Sequence, residues 1–294
     1  VGPDGAVTTI DIDPEVVEEA GTRLAAAGYP DVQVTVGDGA LGDKTRAPYD
    51  RIIVTAGAWD LPPAWWEQLT EGGRIVVPLR WRGQTRSIAF DHQPGRLVSR
   101  SVKLCGFIPL RGPDGDGERT VALDDGATVT LYHDEDQPLD HDALHGVLNQ
   151  PKSQSWSGVT VGSHDPFDGV WLRLTTAEPG TCRIAAQPAA VDSGLVTPAI
   201  PVRSPAVIEG SSLAYFALRP HTDSHRSGGR RFKLGAIGHG SRDLAGRITE
   251  QIRTWDHDRT AQPAITAHPA GTPDNQLPAS VVIDKQHTRL TVSW

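Results

Sequence analysis

Two carboxylates and one run of small residues carry the chemistry open to the first third of the chain. Asp11 closes the β-branched stretch AVTTIDI (6–12), and Asp38 with Gly39 follows the apolar stretch 32–36 in VGDGALG (36–42). An ionised carboxylate only accepts hydrogen bonds, so at a strand end it can take the two hydroxyls of a ribose or the amino group of an adenine. Gly39 leaves room for a flat ring to approach the backbone. Each of these positions reads equally as a plain turn. The third feature is Thr55, Ala56, Gly57 and Ala58, which end YDRIIVTAGA (49–58). The unbroken run Ile52, Ile53 and Val54 predicts a strand covered on both faces, and small residues at its carboxyl end let a ligand come close.

The elements that must position these residues follow from pattern. After the strand ending at Asp11, Asp13 is a helix N-cap with Pro14 in the first turn, and Val17, Ala20 and Leu24 recur at helical spacing up to a stop at Gly28. Strands are expected over 32–36, 49–54 and 74–79, with a short helix begun by Pro62 and Pro63 that carries Trp65, Trp66 and Leu69. Segments 86–90 and 97–104 should pair antiparallel around Pro94 and Gly95. Strands alternating with helices predict a doubly wound α/β sheet.

Composition bounds the rest. The chain of 294 residues has 38% hydrophobic and 22% charged residues, no methionine and two cysteines, Cys105 and Cys182. It is long enough for two domains, lacks an apolar run of membrane-spanning length, and has no disulfide framework, which predicts a cytoplasmic protein. The net charge of −8 argues against a nucleic-acid partner.

The ordered pieces TTIDIDPE (8–15), VGDGALG (36–42), PYDRIIVTAGA (48–58), LPPAWWEQL (61–69), EGGRIVVPL (71–79) and GFIPLRG (106–112) together resemble the protein-L-isoaspartate O-methyltransferase family. The resemblance implies a Rossmann-like fold and an S-adenosylmethionine-dependent enzyme. Such an enzyme methylates the free carboxyl of isoaspartyl residues in proteins or peptides, and the ester then closes to a succinimide. It implies that Asp11 with Ile12 lies beside the cofactor ribose and Asp38 with Gly39 beside the adenine, while Thr55 to Ala58 line the floor near the reacting methyl group. The family's V-P-L-T pattern stands here as Ile108, Pro109, Leu110 and Arg111, with Arg in place of Thr. In the family a glycine-rich strand-to-helix loop precedes the strand at 6–12, and a Ser-containing substrate loop lies further upstream. The resemblance therefore implies an amino-terminally truncated core lacking its first strand, with weak cofactor binding by this polypeptide alone.

The stretch GPDGDGE (112–118) is a polar, glycine-rich hinge. It divides the chain into a methyltransferase core, 1–112, and an α+β extension, 113–294. In the extension, 120–123 and 127–132 predict a hairpin around Asp124, Asp125 and Gly126, and Val170, Leu172 and Leu174 predict a strand. Residues 213–218, 232–237 and 288–292 predict further strands. Leu244, Ile248, Ile252 and Trp255 predict a helix capped by Ser241. His141 and His145, and His221 and His225, stand four apart but lack the accompanying Glu or Cys of a zinc site, so no metal is expected. The extension resembles those of FxLD-type members of the family, which act in ribosomal-peptide biosynthesis. That resemblance implies peptide recognition and a dedicated precursor as substrate. The alternative from the residues alone is an inactive core that serves as a peptide-binding module.

Overall fold

The computed structural model describes residues 1–2, 4–112, 117–221 and 230–294. The chain forms two compact units, one of residues 1–80, 85–116 and 264–293, the other of 81–84, 117–263 and 294.

The first unit opens with two strand–helix–strand steps. Strand β1 (Thr8–Asp11) leads into helix α1 (Pro14–Ala26) and returns as β2 (Gln33–Val36), parallel to β1 with Asp11 opposite Val36. Helix α1 forms where expected. The Asp13 carboxylate accepts from Glu15 N–H at 3.0 Å, Pro14 sits in the first turn, and the end closes in a Schellman pattern. There Gly28 takes a φ of 88°, and Tyr29 N–H donates to Leu24 O at 2.9 Å. The second step is β3 (Tyr49–Ile53), α2 (Pro63–Gln68) and β4 (Leu69–Trp81), with β3 parallel to β4. Strands β5 (Gln84–Gln93) and β6 (Arg96–Leu104) pair antiparallel, as the sequence predicts.

The second unit contains β7 (Glu118–Ala122), β8 (Val129–Asp134), β9 (Lys152–Gly162), α3 (Asp168–Ala177), β10 (Thr181–Ala186) and α4 (Pro188–Asp192). It continues with β11 (Ser204–Glu209), β12 (Ser212–Pro220), β13 (Arg231–His239) and α5 (Arg242–His257). Its antiparallel sheet runs β7-β8-β10-β11-β12-β13-β9. One face packs Phe216, Leu234 and Val161 against Leu244, Ile248 and Trp255 of α5, and the other buries Leu131, Ile184, Tyr215 and Ile237 with Leu144 and Val147. The β7–β8 hairpin forms as expected, with Asp124 accepting from the Thr128 and Val129 amides. Ser241 caps α5 by accepting from Asp243 N–H.

Strands β14 (Ala264–Pro269), β15 (Val281–Asp284) and β16 (Thr288–Ser293) follow α5 in sequence but belong to the first unit. They extend its sheet in the order β15-β16-β14-β6-β5-β4-β3, because β14 pairs with β6. The division near residue 112 is therefore not the end of the first unit, and 117–263 sit within the first unit's sequence.

Three expectations change. The single doubly wound sheet appears as two parallel steps in separate sheets, since β1 and β2 form a two-stranded sheet without hydrogen bonds to β3. Strand β3 is not covered on both faces: it ends its sheet, and Ile53 is 72% exposed. Residues 170, 172 and 174 lie in helix α3, where Trp171 and Thr175 are buried as well. A helix packed on two sides buries neighbours that an alternating pattern would turn outward. His225 and most of the hinge fall outside the described residues.

Candidate functional site

The chemistry-bearing residues gather at the carboxyl ends of β1, β2 and β3. Gly37 N–H donates to Asp11 O at 2.9 Å, which ties the ends of β1 and β2 together. Asp11 Oδ1 accepts from Asp13 N–H at 2.9 Å, and its exposed carboxylate keeps acceptor capacity for outside donors. Asp38 repeats the arrangement one strand over, with Oδ1 accepting from Ala40 N–H at 2.9 Å. Both therefore act as turn formers. That use engages one oxygen of each and holds the carboxyl group in place.

Gly39 is fixed from the α2 side, its carbonyl accepting from Trp65 Nε1 at 2.8 Å. Trp65 reaches it because Pro63 starts α2 and places the indole one turn in. Beyond β3, Gly57 exchanges hydrogen bonds with the segment after β6: its N–H donates to Ile108 O and its carbonyl accepts from Leu110 N–H, both at 2.8 Å. Ala58 bonds the other way, donating to Pro78 O and accepting from Arg80 N–H.

Segment 108–112 links the two halves of the site. From Gly57 it passes Gly39, where an added Cβ would meet Leu110 Cδ1 at 3.7 Å. It continues to Gly112, where a Cβ would stand 2.8 Å from Asp38 Oδ2, and the guanidinium of Arg111 lies 4.0 Å from the Asp13 carboxylate. Arg111 thus turns toward the α1 cap, a role that its departure from the family pattern left open. Exposed apolar side chains sit at this end too: Ile12 at 39%, Val36 at 51% and Ile108 at 80% exposure. Two acceptor-only carboxylates, close backbone approach at two glycines and an apolar rim suit a ligand with a hydroxylated sugar and a flat ring.

Sequence reasoning put Asp11, Ile12, Asp38, Gly39 and Thr55 at one end of the unit; in the structure Asp11, Ile12, Asp38 and Gly39 lie at or just past the ends of β1 and β2, and Thr55 follows β3. It missed Trp65 as a support and Asp60, which is 3% exposed just past Ala58. Trp65 was legible as the first-turn aromatic after two prolines. Asp60 was not, because two of its donors lie about 230 residues downstream. Of the histidines, His141 meets the buried His133 edge to face with centroids 5.3 Å apart, and among the described residues no three His, Cys, Asp or Glu side chains cluster to hold a metal ion.

Residues 1–115 match the family model described as protein-L-isoaspartate(D-aspartate) O-methyltransferase. The protein-L-isoaspartate O-methyltransferase 2 of Archaeoglobus fulgidus is 41% identical over 115 residues, 39% of this chain and 52% of that protein. The protein-L-isoaspartate O-methyltransferase of Hyperthermus butylicus is 45% identical over 113 residues, 38% of this chain and 47% of its own length. The chain spans about half the length of the curated relatives it matches. A solved protein-L-isoaspartate O-methyltransferase aligns over 90% of this chain and 66% of its own at 17% identity, with a TM-score of 0.38.

Proposed function

We propose, on the premise that residues 1–115 carry the sequence of the protein-L-isoaspartate O-methyltransferase family, that the first unit binds S-adenosylmethionine and serves carboxyl O-methylation of L-isoaspartyl or aspartyl residues in a protein or peptide. The observation that carries this reading is the convergence of Asp38, Gly39 and Gly57 through segment 108–112, with Asp11 tied to Gly37 at the neighbouring strand end. The donor set fits: ribose hydroxyls and an adenine amino group are donors, and the site offers carboxylates. Asp11 with Ile12 would hold the ribose, Asp38 with Gly39 the adenine, and Thr55 to Ala58 would form the floor beside the reacting group. When bound, the cofactor supplies an activated methyl group. The chain's own residues have only to orient the substrate carboxylate, which is already a nucleophile and needs no general base. The product ester is then open to attack by the following backbone amide, which gives a succinimide.

In this reading β1 and β3 belong to one methyltransferase sheet and take a further parallel strand between their edges, where Ile53 stands exposed. The second unit has its own sheet and its own core on each face, which suits a separately folded peptide-recognition module of the tailoring kind. Among the described residues no helix is long and apolar enough to cross a membrane, and both cysteines are free thiols, which favours a cytoplasmic setting.

The test is transfer of labelled methyl from S-adenosylmethionine to an isoaspartyl peptide, scored as a base-labile ester. Transfer that Asp11→Ala weakens supports the reading. Peptide binding without any transfer favours the binding module. Equal turnover of unrelated isoaspartyl peptides favours general repair over a dedicated precursor.

A further inference from the structure

Asp60 lies two residues beyond the floor segment 55–58 and is buried with its neighbour Leu61. Three donors meet its carboxylate. Leu61 N–H reaches Oδ1 at 2.7 Å, His287 N–H reaches Oδ2 at 2.6 Å, and the Thr288 hydroxyl donates to Oδ1. The last two come from the turn between β15 and β16, closed by Lys285 N–H donating to Thr288 O at 2.8 Å. The same turn lays the Lys285 ammonium 4.1 Å from the centre of the Trp59 ring. Two consecutive residues after the floor are thus gripped by one turn that lies far outside the matched residues 1–115.

Backbone hydrogen bonds hold the floor on its other sides, Gly57 to segment 108–110 and Ala58 to the end of β4. A buried carboxylate short of a donor draws water or moves to find one. Movement at Asp60 would be felt at Ala58 and Gly57, two and three residues away across the bend at 59–60.

We propose that the turn 285–288 is a positioning element of the methyl-transfer site: through Asp60 and Trp59 it sets the backbone of 57–61, and Thr288 is its decisive side chain. The proposal rests on the reading of 55–58 as the floor beside the reacting group. Neither Asp60 nor Thr288 touches the reacting atoms.

The experiment compares the full chain as wild type, Thr288→Val and Thr288→Ser, by amide hydrogen exchange at 55–61 and by methyl-transfer kinetics. Loss of the hydroxyl in Thr288→Val should speed exchange at 57–61 about tenfold, the scale of one hydrogen bond to a charged group, and Ser should restore it. kcat should fall about tenfold or more while KM for the peptide holds, since a small misplacement of a site is costly in rate. Arg289→Ala, which removes ion pairs to Asp284 on the same hairpin and to Asp274 ahead of it, should leave both readouts alone. Unchanged exchange at 57–61 in folded Thr288→Val overturns the proposal, as does faster exchange with unchanged kcat. If Thr288→Val does not fold, Asp60→Asn gives the same two readouts with the same meaning. A wild type without methyl transfer counts against the function proposed above, and the exchange measurement then still decides whether the turn holds the segment.

Discussion

Strands β3 and β12 look alike as sequence and differ as structure. YDRII ends in an apolar run, and so does SLAYFA, yet Leu213 to Ala217 are all buried while Ile53 is 72% exposed. The difference is neighbours. Strand β12 lies between β11 and β13 with helices on one face and the Leu131–Tyr215 cluster on the other. Strand β3 has β4 on one side and, among the described residues, no hydrogen-bonded strand on the other. A run of apolar residues thus states a capacity for double burial, and the strands on either side decide whether it is used. The comparison separates a unit built for stability from one whose exposed apolar end is open to a ligand.

The largest test of that comparison is truncation of matched positions. Phe216→Ala should cost about 3–5 kcal/mol in urea unfolding, the range for a fully buried aromatic. Ile53→Ala should cost under about 1 kcal/mol because little of that side chain leaves water. Equal losses would mean that β3 is covered after all. The next effect is a pH dependence in the second unit. Burial, with repulsion from Lys152, pushes His239 down from the usual 6.5 to about 4, against the opposing bond to Leu148 O. The unfolded chain takes up the proton first, so this group's contribution is complete above pH 6.5 and is lost as pH falls toward 4. Thermal unfolding followed by a second-unit probe should show that slope, and His239→Gln should flatten it.

A smaller effect bears on the site. Gly112 has a φ of 122°, and a Cβ there would crowd Asp38 Oδ2 at 2.8 Å. Gly112→Ala should displace the Asp38 carboxylate and weaken cofactor affinity about tenfold, the value of one charge-assisted hydrogen bond, with little change in the second unit. The smallest is Asp13→Ala, which removes the α1 cap and about 1 kcal/mol of stability.

Much of the first unit was legible because its signals are local. Asp13 and Pro14 start α1, Gly28 ends it, and Pro63 starts α2, each through its own backbone preference. The gathering of Asp11, Asp38 and Gly57 was legible only through the order of strands. What escaped is long-range. Nothing near Asp60 announces Thr288, and nothing in 264–293 says that these strands rejoin the first sheet, because β14–β6 pairing is set by partners about 170 residues apart in sequence. Helix α3 escaped for the opposite reason: Val170, Leu172 and Leu174 alternate, and the burial of Trp171 between them depends on packing that sequence spacing does not encode.

The most direct test of the site is a hydrogen-exchange footprint of the chain with and without a saturating concentration of S-adenosylmethionine. Slowed exchange is expected at 11–13, 37–40, 55–58 and 108–112, with no change across β12. No protection at those segments, or protection confined to 117–263, would contradict it.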